Sequence, residues 1–263
     1  MSGQFNSFCH AIKAEWLKGR RTFLRFSPLV VSFATVIILL PIAWKVITDG
    51  KSGNTGINCL DFYFVIWLFF MMPMYSILVA ILNFSTEHGQ GLWKHVNVQP
   101  VSGAIQTLVK HFYGWCYLFA TTIAILALAI LVLVVASFFP DITVGFTDFN
   151  FWRKAFLYSI LSSISGIVIL TLLNVLAARV AGFSLPALVG FFGTLLPIFA
   201  DANSKGAPFI PWTVGKFLLF PVIMEARTGI KPSIEFWWIV VPIAQVALLL
   251  WVNIFIQKKK PLY

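Results

Sequence analysis

The sequence predicts an all-α integral membrane protein with six transmembrane helices, an N-terminal amphipathic interfacial helix and a short re-entrant hairpin before the last helix. Three observations carry that expectation. Of 263 residues, 59% are hydrophobic and only 11% are charged, whereas a soluble domain carries about 25% charged residues. The apolar runs are longer than the roughly 20 residues that cross a bilayer as helix, and they are not the alternating segments of about 10 residues that build a barrel. The basic residues, finally, gather at the two ends of the chain and in short segments between apolar runs. Residues 1–263 read as a single transmembrane domain without an internal repeat.

Residues 4–25 precede any span. At 100° per residue Phe5, Phe8, Cys9, Ile12, Trp16 and Phe23 fall within one arc, and Lys18, Arg21 and Arg25 fall outside it. A plain basic flank needs no aromatic stripe, so the segment is expected to lie in the headgroup plane, with Phe8, Ile12 and Trp16 toward lipid. The spans are then expected at about 27–47, 62–84, 112–139, 155–178, 183–200 and 236–256. Pro73 is a kink tolerated inside the second, because neighbouring helices satisfy the carbonyl that it frees. The first apolar run begins near Phe26 and has no small-residue cleavage site after it, so it is expected to remain as a span. Residues 207–221, APFIPWTVGKFLLFP, are apolar, too short to span and broken by three prolines. They read as a hairpin dipping part-way into the bilayer, against the alternative of a surface loop held at the interface by Trp212.

Charge sets the expected orientation. With six spans and the N-terminus inside, the cytoplasmic side holds eleven Lys/Arg against Glu15 and Glu87, and the other side holds eight Lys/Arg against seven acids. Bases favour the cytoplasmic side of a membrane protein, so both termini are expected inside. The overall charge of +10 is thereby explained by a membrane surface, and no nucleic acid is implied.

Residues that carry chemistry are sparse. There is no HExxH and no GxxxxGK[ST]. Ser85 and His88 lack the orienting third group of a hydrolase. His88, His95 and His111 read as solvated interfacial histidines rather than as metal ligands. Cys9, Cys59 and Cys116 lie far apart, and the acids read as scattered over outer loops with span centres nearly free of charge. No catalytic residue, metal or cofactor is expected. The long polar interruption 85–111 holds the exception. Glu87 is an acid on the basic side, which either caps the short helix after it or pairs locally with Lys94, or else meets a partner protein. Trp93 is either an interfacial anchor or an exposed contact.

The run Glu87, Gly91, Trp93, Lys94, then Pro100, Val101 and Ser102, resembles the cytoplasmic loop of type-2 ABC exporter permeases, where an E…G…WK…P-[VI]-S run joins the second and third spans. The opening Ala14 to Arg21, AEWLKGRR, is similar to that of the lantibiotic-immunity and bacteriocin-protection permeases. The resemblance implies a permease driven by a separate cytoplasmic ABC ATPase and paired with a second, identical or homologous, permease subunit. It implies Trp93 as a knob in the ATPase groove, Glu87 and Lys94 as polar contacts, Gly89 and Gly91 as the turn, and an amphipathic peptide as the exported substrate. Rival readings are an exporter of lipid or drug-like molecules, a lipid-modifying membrane enzyme, and a non-transporting sensor or assembly partner.

Overall fold

A computed structural model describes residues 2–20, 22–49, 55–89, 102–139, 142, 144–180, 183–199, 209–219, 223 and 237–259, with backbone alone at 2–6, 49, 85–89, 237–238 and 256–259. Among these residues the chain is helical and contains no strand. That outcome follows from the solvent, since hydrocarbon offers no partner to a peptide group and each helix satisfies its own.

The helix α1 runs over Ser2–Gly19, shorter than the expected 4–25. The chain leaves it in an extended conformation at Thr22, whose Oγ1 donates to the Gly19 carbonyl, and Phe23–Arg25 form a separate turn. Phe23 is thus not on the same helix as Trp16. Four helical stretches are long and apolar enough to cross a membrane: Ser27–Thr48, Thr55–Phe84, Gly103–Ala136 and Phe149–Ala177. They belong to α2 (Ser27–Asp49), to the continuous rod of α3 (Thr55–Ile66) and α4 (Met72–Gly89), to α5 (Gly103–Ala136) and to α6 (Phe149–Ala177). The shorter apolar helices α7 (Ser184–Phe199) and α8 (Trp237–Lys259) follow. All six expected spans therefore coincide with helices.

Two helices start at legible caps. Ser102 Oγ accepts from the Ile105 N–H at 3.4 Å, and Asp148 Oδ1 accepts from the Asn150 N–H at 2.9 Å. Between α3 and α4 the rod widens into a π-helical stretch, Trp67–Met71, immediately before Pro73. In an α-helix the proline ring would meet the carbonyl of Phe69, four residues back; the wider turn relieves that collision.

The centre of the bundle is α6, which packs on α3, α4, α5, α7 and α8. Its small residues allow that crowding. Ser159, Ser162, Ser163, Ser165 and Gly166 are all buried or nearly so, and small side chains let helix backbones approach closely in a membrane. Ser159 and Ser163 return their hydroxyls to the carbonyls of Ala155 and Ser159, at 2.9 and 2.7 Å. On the other side, α2 packs on α5 and α3, and Ser32 donates to the Thr121 carbonyl at 3.2 Å. Its outer face, with Leu29, Phe33, Ile37 and Ile38, stays exposed, as a lipid-facing surface should.

The structure corrects the expectation that the acids are scattered over outer loops. Asp61 is buried within α3 and accepts a hydrogen bond from Tyr158 of α6. Lys154, one turn before Tyr158, is buried as well. Both lie just outside the apolar windows that hydropathy alone delimits, because the helices extend beyond those windows.

Of 207–221, residues 209–219 are described. They form a turn and a short helix at 214–219, with Trp212, Val214, Leu218 and Leu219 buried. Lys216 Nζ donates to the Pro197 carbonyl near the end of α7 at 3.1 Å, where a cation suits the helix dipole. Gln245 of α8 donates to the Phe209 carbonyl at 2.7 Å. Trp212 lies flat against Gly193 of α7, where an added Cβ would stand 2.1 Å from the indole. Gly193→Ala should therefore unseat this segment and destabilise the protein by about 1–3 kcal/mol, as overpacking does. Thermal unfolding in detergent measures it, and Trp212→Leu in the same chain should recover part of the loss.

Candidate functional site

The end of the bundle where α4 leaves and α5 enters is built from three elements. The helix α5, 34 residues long, extends about 50 Å, well beyond a hydrocarbon core of about 30 Å. Its first turns consequently carry Gln106, Thr107, Lys110 and His111. Lys110 is buried; its Nζ donates to the Asn83 carbonyl of α4 at 3.3 Å and stands 4.5 Å from the centre of the Phe84 ring. The carbonyl is in the last turns of α4, so hydrogen bond, ring quadrupole and helix dipole all favour the cation. The two roots of the connection are thereby clamped together.

Around this clamp lies a polar knot inside the bundle. His111 is fully buried and donates from Nδ1 to the Thr107 carbonyl at 2.8 Å. The expectation of a solvated histidine fails here, because His111 stands on the face of α5 turned toward α6. Next to it, Trp115 donates to Thr171 Oγ1 of α6 at 3.3 Å. Gly114 brings α5 close to Asn83, whose Nδ2 would lie 3.1 Å from an added Cβ. Asn174 of α6 is wholly buried, three residues beyond Thr171. Sequence reading passed over Asn83 and Asn174, yet each carried a signal: an amide within an apolar run, costly in hydrocarbon unless neighbours bond it.

The helix α1 lies against α5 on the outside of this end. Trp16, 53% exposed, meets Tyr113 edge-on with ring centres 6.3 Å apart, and Phe8 and Ile12 on the same face are half-buried. Gly19 abuts the Tyr113 hydroxyl, which shares a 2.7 Å hydrogen bond with Tyr117. Glu87 falls on the last turn of α4, four residues after Asn83. Gly91, Trp93 and Lys94 lie outside the described residues, so the structure brings the roots of the connection together and leaves these three aside. Among the described residues no three His, Cys, Asp or Glu side chains gather as metal ligands.

Higher on the same rod, α4 and α7 form the walls of an apolar cleft of about 700 Å³. Ile77, Ile81 and Leu82 line one side, Leu188 and Phe191 the other, and Phe23 from the turn after α1 closes one end.

The family model of the ABC-2 family transporter proteins matches residues 11–197, from α1 to the end of α7. The chain belongs to that family. It is accordingly the membrane permease subunit of an ABC transporter, a multi-pass membrane protein whose partner is a cytoplasmic ABC ATPase. No curated protein matches the chain. The clamp holds together the two helices that flank residues 90–101. Lys110→Ala should remove that tie and cost about 1.5–3 kcal/mol, the range for a hydrogen bond to a charged group. Thermal unfolding of the purified permease checks this, with Lys110→Arg expected to lose less.

Proposed function

We propose that this permease, paired with a second identical or homologous permease subunit, expels an amphipathic peptide of the lantibiotic or bacteriocin kind, driven by its ATPase. In this reading α2, α3–α4, α5, α6, α7 and α8 are six spans, and both termini face the cytoplasm. Residues 85–111 then form the loop that meets the ATPase. The cytoplasmic excess of Lys/Arg, with five bases before α2 and three at residues 258–260 where α8 ends, supports that side for the loop.

The observation that carries the coupling role is the clamp between Lys110 and the Asn83 carbonyl. It ties α4 to α5 directly behind residues 90–101, so the loop is presented on a two-helix stem. Trp93 is the aromatic knob such a contact needs, Glu87 and Lys94 supply the flanking charges, and Gly91 the turn. Residues 207–221 are read as a partial re-entry on the opposite side, supported by the burial of Trp212 and Leu218 in a segment too short to span.

The cleft between α4 and α7 supports both the pairing and the substrate. An apolar concavity of this size on one face of a bundle leaves a path with one wall missing, which a second permease would supply. Its apolar lining fits the greasy side of an amphipathic peptide and equally favours a second reading, an exporter of lipid or drug-like molecules.

Glu87→Ala and Trp93→Ala should insert normally and retain ATP hydrolysis in the purified permease–ATPase complex, yet lose at least about tenfold in transport, the equivalent of 1.4 kcal/mol of coupling. Efflux from proteoliposomes of a fluorescent lantibiotic, run beside a fluorescent phospholipid, measures this and separates the two substrate readings. Undiminished transport by both variants would refute the coupling role.

A further inference from the structure

The rod formed by α3 and α4 is not uniform along its length. Its upper part is anchored by a fully buried face. Cys59, Leu60, Tyr63, Phe64 and Trp67 are fully buried, Tyr158 donates to Asp61, and the Phe64 and Tyr158 rings stand 5.5 Å apart. Its lower part packs on α5, α6 and α7 but leaves one strip open. The face with Met74, Leu78, Ile81 and Leu82 is half-buried and borders the cleft, while the foot is clamped to α5 through Asn83 and Lys110.

Between the two parts lies the π-helical stretch Trp67–Met71, followed at once by Pro73. The missing N–H of Pro73 and the widened turn both thin the hydrogen-bond ladder at this level, and such stretches are where a helix bends. The packing at the same level is unusual too. Leu68 rests on Gly215 and Met72 on Gly166, and an added Cβ on either glycine would fall within 2.9 Å of those side chains. Neither glycine offers a side chain to interlock with the rod, so the contact surfaces at this level are smooth.

We propose that Trp67–Met71, with Pro73, is a hinge that lets the lower part of the rod swing with the 85–111 loop while the upper part stays fixed. The swing changes the width of the cleft between α4 and α7, so a push at the foot of the rod becomes opening or closing at the substrate path. This proposal rests on the reading of residues 85–111 as the contact with the ATPase. It adds what that reading lacks, the point along the span where motion stops.

Distances in the purified permease–ATPase complex test it. Two spin-label pairs are placed in a chain carrying Cys9→Ser and Cys116→Ser: Leu82→Cys with Leu188→Cys across the cleft, and Phe62→Cys with Trp152→Cys at the fixed end. On adding magnesium-ATP the first pair should shift by more than the width of its distance distribution, and the second should not move. Equal shifts in both pairs would mean a rigid rod and would overturn the hinge while leaving the coupling loop intact. No shift in either pair would overturn both. Deleting Phe70 together with Pro73→Ala removes the extra residue and restores an α-helical ladder with both flanking faces in register. That variant should keep ATP hydrolysis and lose the shift of the first pair, and a shift retained at its wild-type size would count against the hinge. Should the variant fail to insert, the two pairs in the otherwise native chain decide the matter alone.

Discussion

Close approach to α6 is the constraint from which the rest of the bundle follows. Lipid tails are as apolar as leucine, so helices in a membrane gain little by hiding hydrocarbon from one another and are held by dispersion and by interhelical hydrogen bonds. Both act only at short range. The serines of α6 and Gly166 bring five neighbouring helices within that range, and Ser159 and Ser163 satisfy their hydroxyls on carbonyls of their own helix. Larger residues on that face would separate the neighbours and leave the polar groups of Asp61, Asn83 and Lys110 without their partners.

Much of the fold was legible because composition and periodicity respond to the same solvent that shapes it. The apolar runs coincide with α2, the α3–α4 rod, α5, α6, α7 and α8, although α5 begins at Gly103, well before the expected start of the third span at about 112. What was not legible was polar pairing across helices. Asp61 reads as a loop acid since it sits at the margin of an apolar run, and only the helix that places Tyr158 beside it shows that it belongs to the interior. His111 and Lys110 read as surface groups for the same reason.

The proposed site is a different matter. The α4–α5 connection, proposed as the coupling loop, was marked by charge and by glycine, and the family match covers it. Its construction was not. Nothing in the order of residues says that Lys110 reaches back 27 positions to a carbonyl of α4, because carbonyls are carried by every residue and leave no trace in a sequence. The end of α1 was similarly hidden: the apolar stripe continues through Phe23, but the backbone turns after Gly19, where only a residue without a side chain fits against Tyr113.

The buried Lys110 also bears on how the protein enters its membrane. A buried lysine is costly without a partner, and the carbonyl that relieves it belongs to the preceding helix, α4. A nascent α5 therefore has reason to stay at the insertion machinery until α4 is beside it. Entering lipid together, the two helices would bury the cation and its partner in one step.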